Sequence, residues 1–128
     1  MPQLALVVDD SMLIRHTVCR FLEERGFAVE SATNGVDALE VLKAIAPDFI
    51  VTDLQMPKMD GYQLIDALRS KPETANIPII ILAGKQQAGD TRSQKCTPHV
   101  IYKDIDIEAQ LQRVLETIFP PTSRSASD

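Results

Sequence analysis

The stretch PDFIVTDLQMPKMDG, Pro47–Gly61, decides the fold of this chain. Its unbroken apolar run Phe49-Ile50-Val51 leads to a lone carboxylate, Asp53, and the chain then turns through Met56-Pro57 and Asp60-Gly61. A short apolar run bounded by turn residues reads as a strand buried on both faces, which implies a parallel sheet with helices on either side. Asp53 stands where that strand runs out. Open α/β sheets place their ligand crevice outside the carboxyl ends of the strands, so an acid at this point is either solvated or working.

Outward from this strand, strand and helix signals alternate. Leu4–Val8 is a first apolar strand, halted by Asp9-Asp10. Ser11 can cap a helix whose Ile14, Val18, Phe21 and Leu22 share one face, and Gly26 stops it. On that helix Arg15, Arg20, Glu23, Glu24 and Arg25 read as solvated charges. Phe27–Ala32 is a second strand. Asn34-Gly35 precedes a second helix with Leu39, Leu42 and Ile45 inward, ending ahead of Pro47. A third helix starts near Asp60-Gly61, turns Leu64, Ile65 and Leu68 inward, and ends at Ser70-Lys71-Pro72.

The isoleucine-rich run Ile77–Leu82 is a fourth strand and His99–Tyr102 a fifth. A last helix over Asp106–Phe119 carries Ile107, Leu111, Val114, Leu115 and Ile118 on one stripe, and Pro120-Pro121 stops it. The segment Lys85–Cys96, KQQAGDTRSQKC, has only Ala88 and Cys96 as apolar residues, with Gly84 and Gly89 against helix. The fourth helix of an alternating pattern is therefore expected there to be short or disordered. The expected architecture is α/β, a flavodoxin-like doubly wound parallel sheet of five strands in the order 2-1-3-4-5. One domain is expected over residues 1–119, with a disordered polar tail over 120–128.

Composition narrows the function. A formal charge of −5 over 128 residues opposes a nucleic-acid binder, whose affinity comes from clustered Lys and Arg. No apolar run approaches the ~20 residues of a membrane helix. The apolar N-terminal run has no basic residue before it and ends early at Asp9-Asp10, which argues against a signal peptide. Two cysteines, Cys19 and Cys96, are too few for a disulfide framework and fit a reducing cytoplasm.

In the expected strand order, Asp9-Asp10 and Asp53 end neighbouring strands. Like charges about 4 Å apart repel by roughly 4 kcal/mol at a surface-like dielectric, so such a cluster seeks a cation or a proton. Hard oxygen ligands in small number suit Mg2+, which keeps several waters and often completes its shell with phosphate. Lys103, just after the fifth strand, brings an ammonium to the same rim. Carboxylate, metal and ammonium together are what transfer of a phosphoryl group to an aspartate requires. Solvated strand-end acids are the plain alternative, and the set of four residues favours function over it. His16-x-x-Cys19 and Cys96-x-x-His99 match zinc ligands by type, but the mid-helix position of Cys19 favours packing. Met12 and Met56 read as packing residues beside the crevice. Gln55 lies near enough to Asp53 to influence attack by water, the plain alternative being a hydrogen bond within its own turn.

The chain resembles the receiver domains of two-component response regulators. VVDDS at Val7–Ser11, DLQMPKMDG at Asp53–Gly61, the isoleucine strand ahead of Ala83, and Lys103 fall in that family's order and spacing, from Leu4 to about Phe119. The resemblance implies that Asp53 is the phosphoacceptor. Asp10, Asp53 and the carbonyl of Gln55 would hold Mg2+, Asp9 would act through water, and Lys103 would pair with the phosphoryl group. A histidine kinase or phosphotransfer protein would be the donor, and the domain would catalyse only phosphoryl transfer to and from its own Asp. An output protein, not identified by the sequence, would receive the signal.

Three positions depart from the family pattern. Ala83 stands where a Thr or Ser hydroxyl usually ends the fourth strand. Val100 stands at the aromatic switch position, three before the lysine. Asp104 replaces the cis proline after the lysine, and a cis bond before a non-proline costs about 2.5–4 kcal/mol, so a trans bond is expected. Besides a phosphorylatable stand-alone receiver, two readings follow. One is a pseudo-receiver that binds proteins independently of phosphorylation. The other is a Mg2+-dependent phosphatase with Asp53 as nucleophile, which Gln55 disfavours because an acid is wanted two residues after the nucleophile.

Overall fold

A computed structural model of the chain describes residues 3–54, 59, 61–83, 99–102 and 106–119. Five parallel strands, β1 (Leu4–Val8), β2 (Ala28–Ala32), β3 (Phe49–Asp53), β4 (Ile79–Ala83) and β5 (His99–Tyr102), form one sheet in the order β2-β1-β3-β4-β5. The described helices are α1 (Met12–Glu24), α2 (Gly35–Leu42), α3 (Gly61–Arg69) and α4 (Ile107–Ile118). This is the doubly wound architecture and strand order expected. The segment 84–98, expected to hold the weak fourth helix, and the tail 120–128 lie outside the described residues.

Side-chain alternation along the central strands sorts the core into two layers. Ala5, Val7, Phe49, Val51, Ile80, Leu82 and Ile101 face the layer of α1 and α4, where Val18, Phe21, Leu22, Leu111 and Leu115 meet them. Leu6, Val8, Ile50, Ile79, Ile81 and Ala83 face α2 and α3, packing on Ala38, Leu64, Ile65 and Leu68. Every residue of β3 and β4 is buried, which is why Phe49–Val51 and the whole of β4 read as unbroken apolar runs. At the amino end of the strands the rings of Phe27, Phe49 and Phe119 pack with centroids 5.3–6.2 Å apart, tying the end of α4 to β3.

Local signals set the element ends. Ser11 Oγ accepts the Ile14 N–H at 3.3 Å and Asn34 Oδ1 the Asp37 N–H at 2.8 Å, so α1 and α2 begin where their caps stand. Gly26 takes φ +91° beyond the end of α1, a conformation that other residues rarely adopt. β4 begins two residues later than the sequence suggests. Ile77 N–H turns back to Thr74 and Pro78 has no N–H, although its carbonyl accepts from Ile50 at 3.0 Å. α2 ends at Leu42, short of Ile45, because Lys43 and Ala44 bond back to Glu40 and Val41 and tighten the chain into a turn. Gln110 of α4 donates to the Tyr102 carbonyl at 2.9 Å and accepts the Tyr102 N–H at 3.0 Å, spanning the β5–α4 connection.

Candidate functional site

The carboxyl ends of β1 and β3 carry the acids. Val8 pairs with Thr52 in the ladder, so the next residue on each side is an aspartate, Asp9 and Asp53. Both are buried, at 0% and 3% exposure, whereas Asp10 is exposed. One carboxylate oxygen from each of Asp9, Asp10 and Asp53 lies within 4.8 Å of the others. Among the described residues this is the only group of three or more His, Cys, Asp or Glu side chains so arranged.

Backbone contacts fix the two buried acids. Asp9 N–H donates to the Ala32 carbonyl at 3.1 Å, while Asp9 Oδ1 accepts the Ser11 N–H at 2.8 Å. Asp53 Oδ1 accepts the Leu54 N–H at 2.8 Å, and Thr52 Oγ1 donates to the Asp53 carbonyl at 3.0 Å. Gly61 N–H then closes the turn onto the Leu54 carbonyl at 2.8 Å. A Cβ at Gly61 would lie 2.5 Å from the Asp53 carbonyl oxygen, so the close return of the chain requires a glycine there. Farther out, Gly35 N–H donates to the Met59 carbonyl at 3.3 Å, and the Met59 side chain lies over Gly35. The start of α2 thus meets the chain at Met59, two residues before Gly61.

The donor set fits magnesium. Three hard, anionic oxygens converge at a rim that is buried on one side and open at Asp10, which suits an octahedral ion that retains waters. Gln55, Lys103 and Asp104, the remaining residues assigned near the site, lie outside the described residues, as do Met56 and Cys96. Ala83 is buried at the end of β4 and pairs with Tyr102; Val100 is half-buried on β5 opposite Ile81. Neither brings a hydroxyl or a ring to its position.

Two expectations need correction. Arg15 is not a solvated charge: it is half-buried, and its Nη1 donates to the Asp9 carbonyl at 2.8 Å. Its position one turn beyond the Ser11 cap was the available signal, but which way its side chain runs depends on tertiary packing. Met12 is not packed either; it is 75% exposed, beside Leu13 at 72%. Both lie off the stripe of Ile14 and Val18, which is the trace they leave in the sequence. Arg20, by contrast, sits at the surface and pairs with Glu24 at 3.3 Å.

Cys19 packs partly against the core, and burial first, then Glu23, raises its thiol pKa, with Arg15 opposing. His16 and Cys19 share α1, and the metal-capable grouping among described residues is the carboxylate triad alone. Desolvation lowers the pKa of His99, at the start of β5.

The sequence matches the family model of the response regulator receiver domain over residues 5–114. The chain belongs to that family. Chemotaxis protein CheY of Treponema pallidum is 31% identical over 120 residues, covering 91% of this chain and 83% of that protein. A gliding motility regulatory protein of Myxococcus xanthus is 40% identical over 87 residues, 68% of this chain but 11% of the relative. The chain spans only 36–38% of several response regulators that it matches. The receiver domain of a signal transduction histidine kinase from Syntrophus aciditrophicus superposes with a TM-score of 0.82 at 31% identity, covering 91% of this chain and 89% of that one. The receiver domain of a sensor histidine kinase from Pseudomonas aeruginosa, 23% identical, shares the fold with a TM-score of 0.80 over 91% of this chain and 97% of its own; its structure is described with a magnesium ion in the active-site cleft.

Proposed function

We propose that this receiver domain accepts a phosphoryl group on Asp53 in a Mg2+-dependent reaction and signals by binding another protein. The observation that carries this is the convergence of Asp9, Asp10 and Asp53 within 4.8 Å at the ends of β1 and β3. Asp10, Asp53 and the Gln55 carbonyl would hold the ion, with Asp9 acting through water. When bound, magnesium neutralises charge on the carboxylates and on the oxygens of the transferred group.

Asp53 supplies the nucleophile. A carboxylate oxygen bonds phosphorus as the P–N bond of a phosphohistidine breaks, leaving an acyl phosphate on the receiver and histidine on the donor. The Leu54 N–H to Oδ1 and the Thr52 hydroxyl to the Asp53 carbonyl hold the residue still during this displacement. Lys103 pairs with the incoming group, and catalysis is confined to the domain's own aspartate. The phosphodonor is a histidine kinase or phosphotransfer protein. Exposed Met12 and Leu13, on the first turn of α1 beside Asp10, give such a partner apolar area to cover. The setting is the cytoplasm, and among the described residues no helix is long and apolar enough to cross a membrane.

A second reading draws on Ala83 and Val100: a pseudo-receiver that binds its partner without phosphorylation. Incubation with Mg2+ and a small phosphodonor, followed by intact mass measurement, separates the two. A gain of one phosphoryl group that disappears in Asp53→Asn is expected. No gain under saturating donor, or a gain that survives the substitution, overturns the proposal.

A further inference from the structure

We propose that Arg15 is a positioning residue for the metal ligands, acting through the Asp9–Asp10 peptide. The proposal rests on the magnesium reading of the carboxylate triad. Asp9 is fixed at its amide by Ala32 and at its carboxylate by Ser11. Its carbonyl is gripped by the Arg15 guanidinium at 2.8 Å. That carbonyl belongs to the peptide plane from which Asp10 departs, because a planar trans peptide couples the C=O of one residue to the N–Cα of the next. Asp10 is the exposed member of the triad, and no hydrogen bond to a described residue holds its carboxylate. Its direction is therefore set through its backbone, and Arg15 is the side chain that grips that backbone.

Arg15 is itself well founded. It lies on α1 one turn past the cap, where its N–H bonds the Ser11 carbonyl at 3.0 Å, while its guanidinium reaches two residues farther back to Asp9. A guanidinium donating to a neutral carbonyl keeps its positive charge, and two opposite effects on metal binding follow. As a nearby cation it competes with Mg2+ for the carboxylates, so its removal would tighten binding. As a positioning group it preorganises Asp10, so its removal would loosen binding. The geometry favours the second, since the guanidinium is spent on a backbone oxygen and among the described residues forms no ion pair with the triad. Outer-shell partners of metal ligands typically alter affinity by about 10–100-fold when removed.

Isothermal titration with Mg2+ alone, and Mn2+ titration followed by electron paramagnetic resonance, test this on the full chain. Arg15→Met should weaken binding of both ions by about tenfold or more. Arg15→Lys, which keeps a charge and a donor, should recover most of the loss. Melting temperatures without metal, read in parallel, separate positioning from folding. Unchanged affinity in Arg15→Met, with or without a lower metal-free melting temperature, overturns the proposal. So does tighter binding, the sign of a competing charge. If Arg15→Met fails to fold, Arg15→Lys and Arg15→Gln are compared: a Gln variant at least as tight as Lys overturns the proposal, and a weaker one supports it. Failure of the unsubstituted chain to bind either ion removes the magnesium reading itself and this inference with it, a result distinct from equal affinities across variants.

Discussion

A methyl group on Gly61 would come within 2.5 Å of the Asp53 carbonyl oxygen. The obstacle is backbone, not the end of a flexible side chain, so neither partner can yield without moving the strand end that carries Asp53. Gly61→Ala is expected to destabilise the domain by about 1–3 kcal/mol, the usual cost of overpacking, and to weaken metal binding as well. Gly26→Ala is the control. It is strained by its φ of +91° but meets nothing within 4 Å, so thermal melting should register a loss while metal affinity stays constant.

Asp9, Asp10 and Asp53 bring three carboxylates within 4.8 Å of one another. Asp53→Asn removes one charge yet keeps an oxygen to accept the Leu54 N–H. Added Mg2+ should stabilise the parent through preferential binding to the folded state, and the variant far less. Scanning calorimetry with and without Mg2+ checks this, and equal stabilisation of parent and variant would contradict it.

Desolvation holds the pKa of His99 below its ordinary value of 6.5. The unfolded chain therefore binds a proton at higher pH than the folded one, and stability falls as pH drops below about 6.5 until the folded-state pKa is passed. Urea midpoints should decline across this window in the parent. In His99→Gln the decline should be shallower, and an unchanged pH profile would mean that other groups carry it.

Phosphorylation is expected to alter the β5–α4 face little. Ala83 is buried at the end of β4 and has no hydroxyl for the new phosphoryl oxygens, so a charge-assisted hydrogen bond worth roughly 1.5–3 kcal/mol is missing from the active state. A ligand shifts a conformational equilibrium only by its differential interaction with the two states. Val100 has no ring to report a shift of β5. Backbone chemical shifts with a beryllofluoride phosphoryl mimic should change around Asp53 and hardly along 99–102 or 106–115. Large changes there would mean that another residue relays the signal.

The strands were legible because each is a short apolar run ended by turn residues, and β3 and β4, covered on both faces, gave no competing helix period. The Ser11 and Asn34 caps fixed the starts of α1 and α2 because their hydrogen bonds are local. The start of β4 slipped because Ile77 is apolar but belongs to a turn ahead of Pro78. In the site, the meeting of Asp9 and Asp53 follows from strand order alone. The grip of Arg15 on Asp9 does not, since a long side chain can leave a helix in several directions and only the tertiary surroundings choose one. The exposure of Met12 was hidden for a related reason: apolar type suggests burial, whereas its helix phase turns it outward.

The amide of Gln110 imitates a neighbouring strand. The N–H and C=O of Tyr102 both point away from β4, on the outer edge of the sheet, and one side chain answers both. An open edge of this kind is a template on which another chain can add a strand. At Tyr102 an intruding backbone must first evict an amide that already supplies the donor and the acceptor it would offer. Partners are thereby steered toward side-chain surfaces at this end of β5. Gln110→Ala would reopen the template, and concentration-dependent association in sedimentation, absent from the parent, is the expected sign; equal behaviour of the two would show that the edge is guarded by other means.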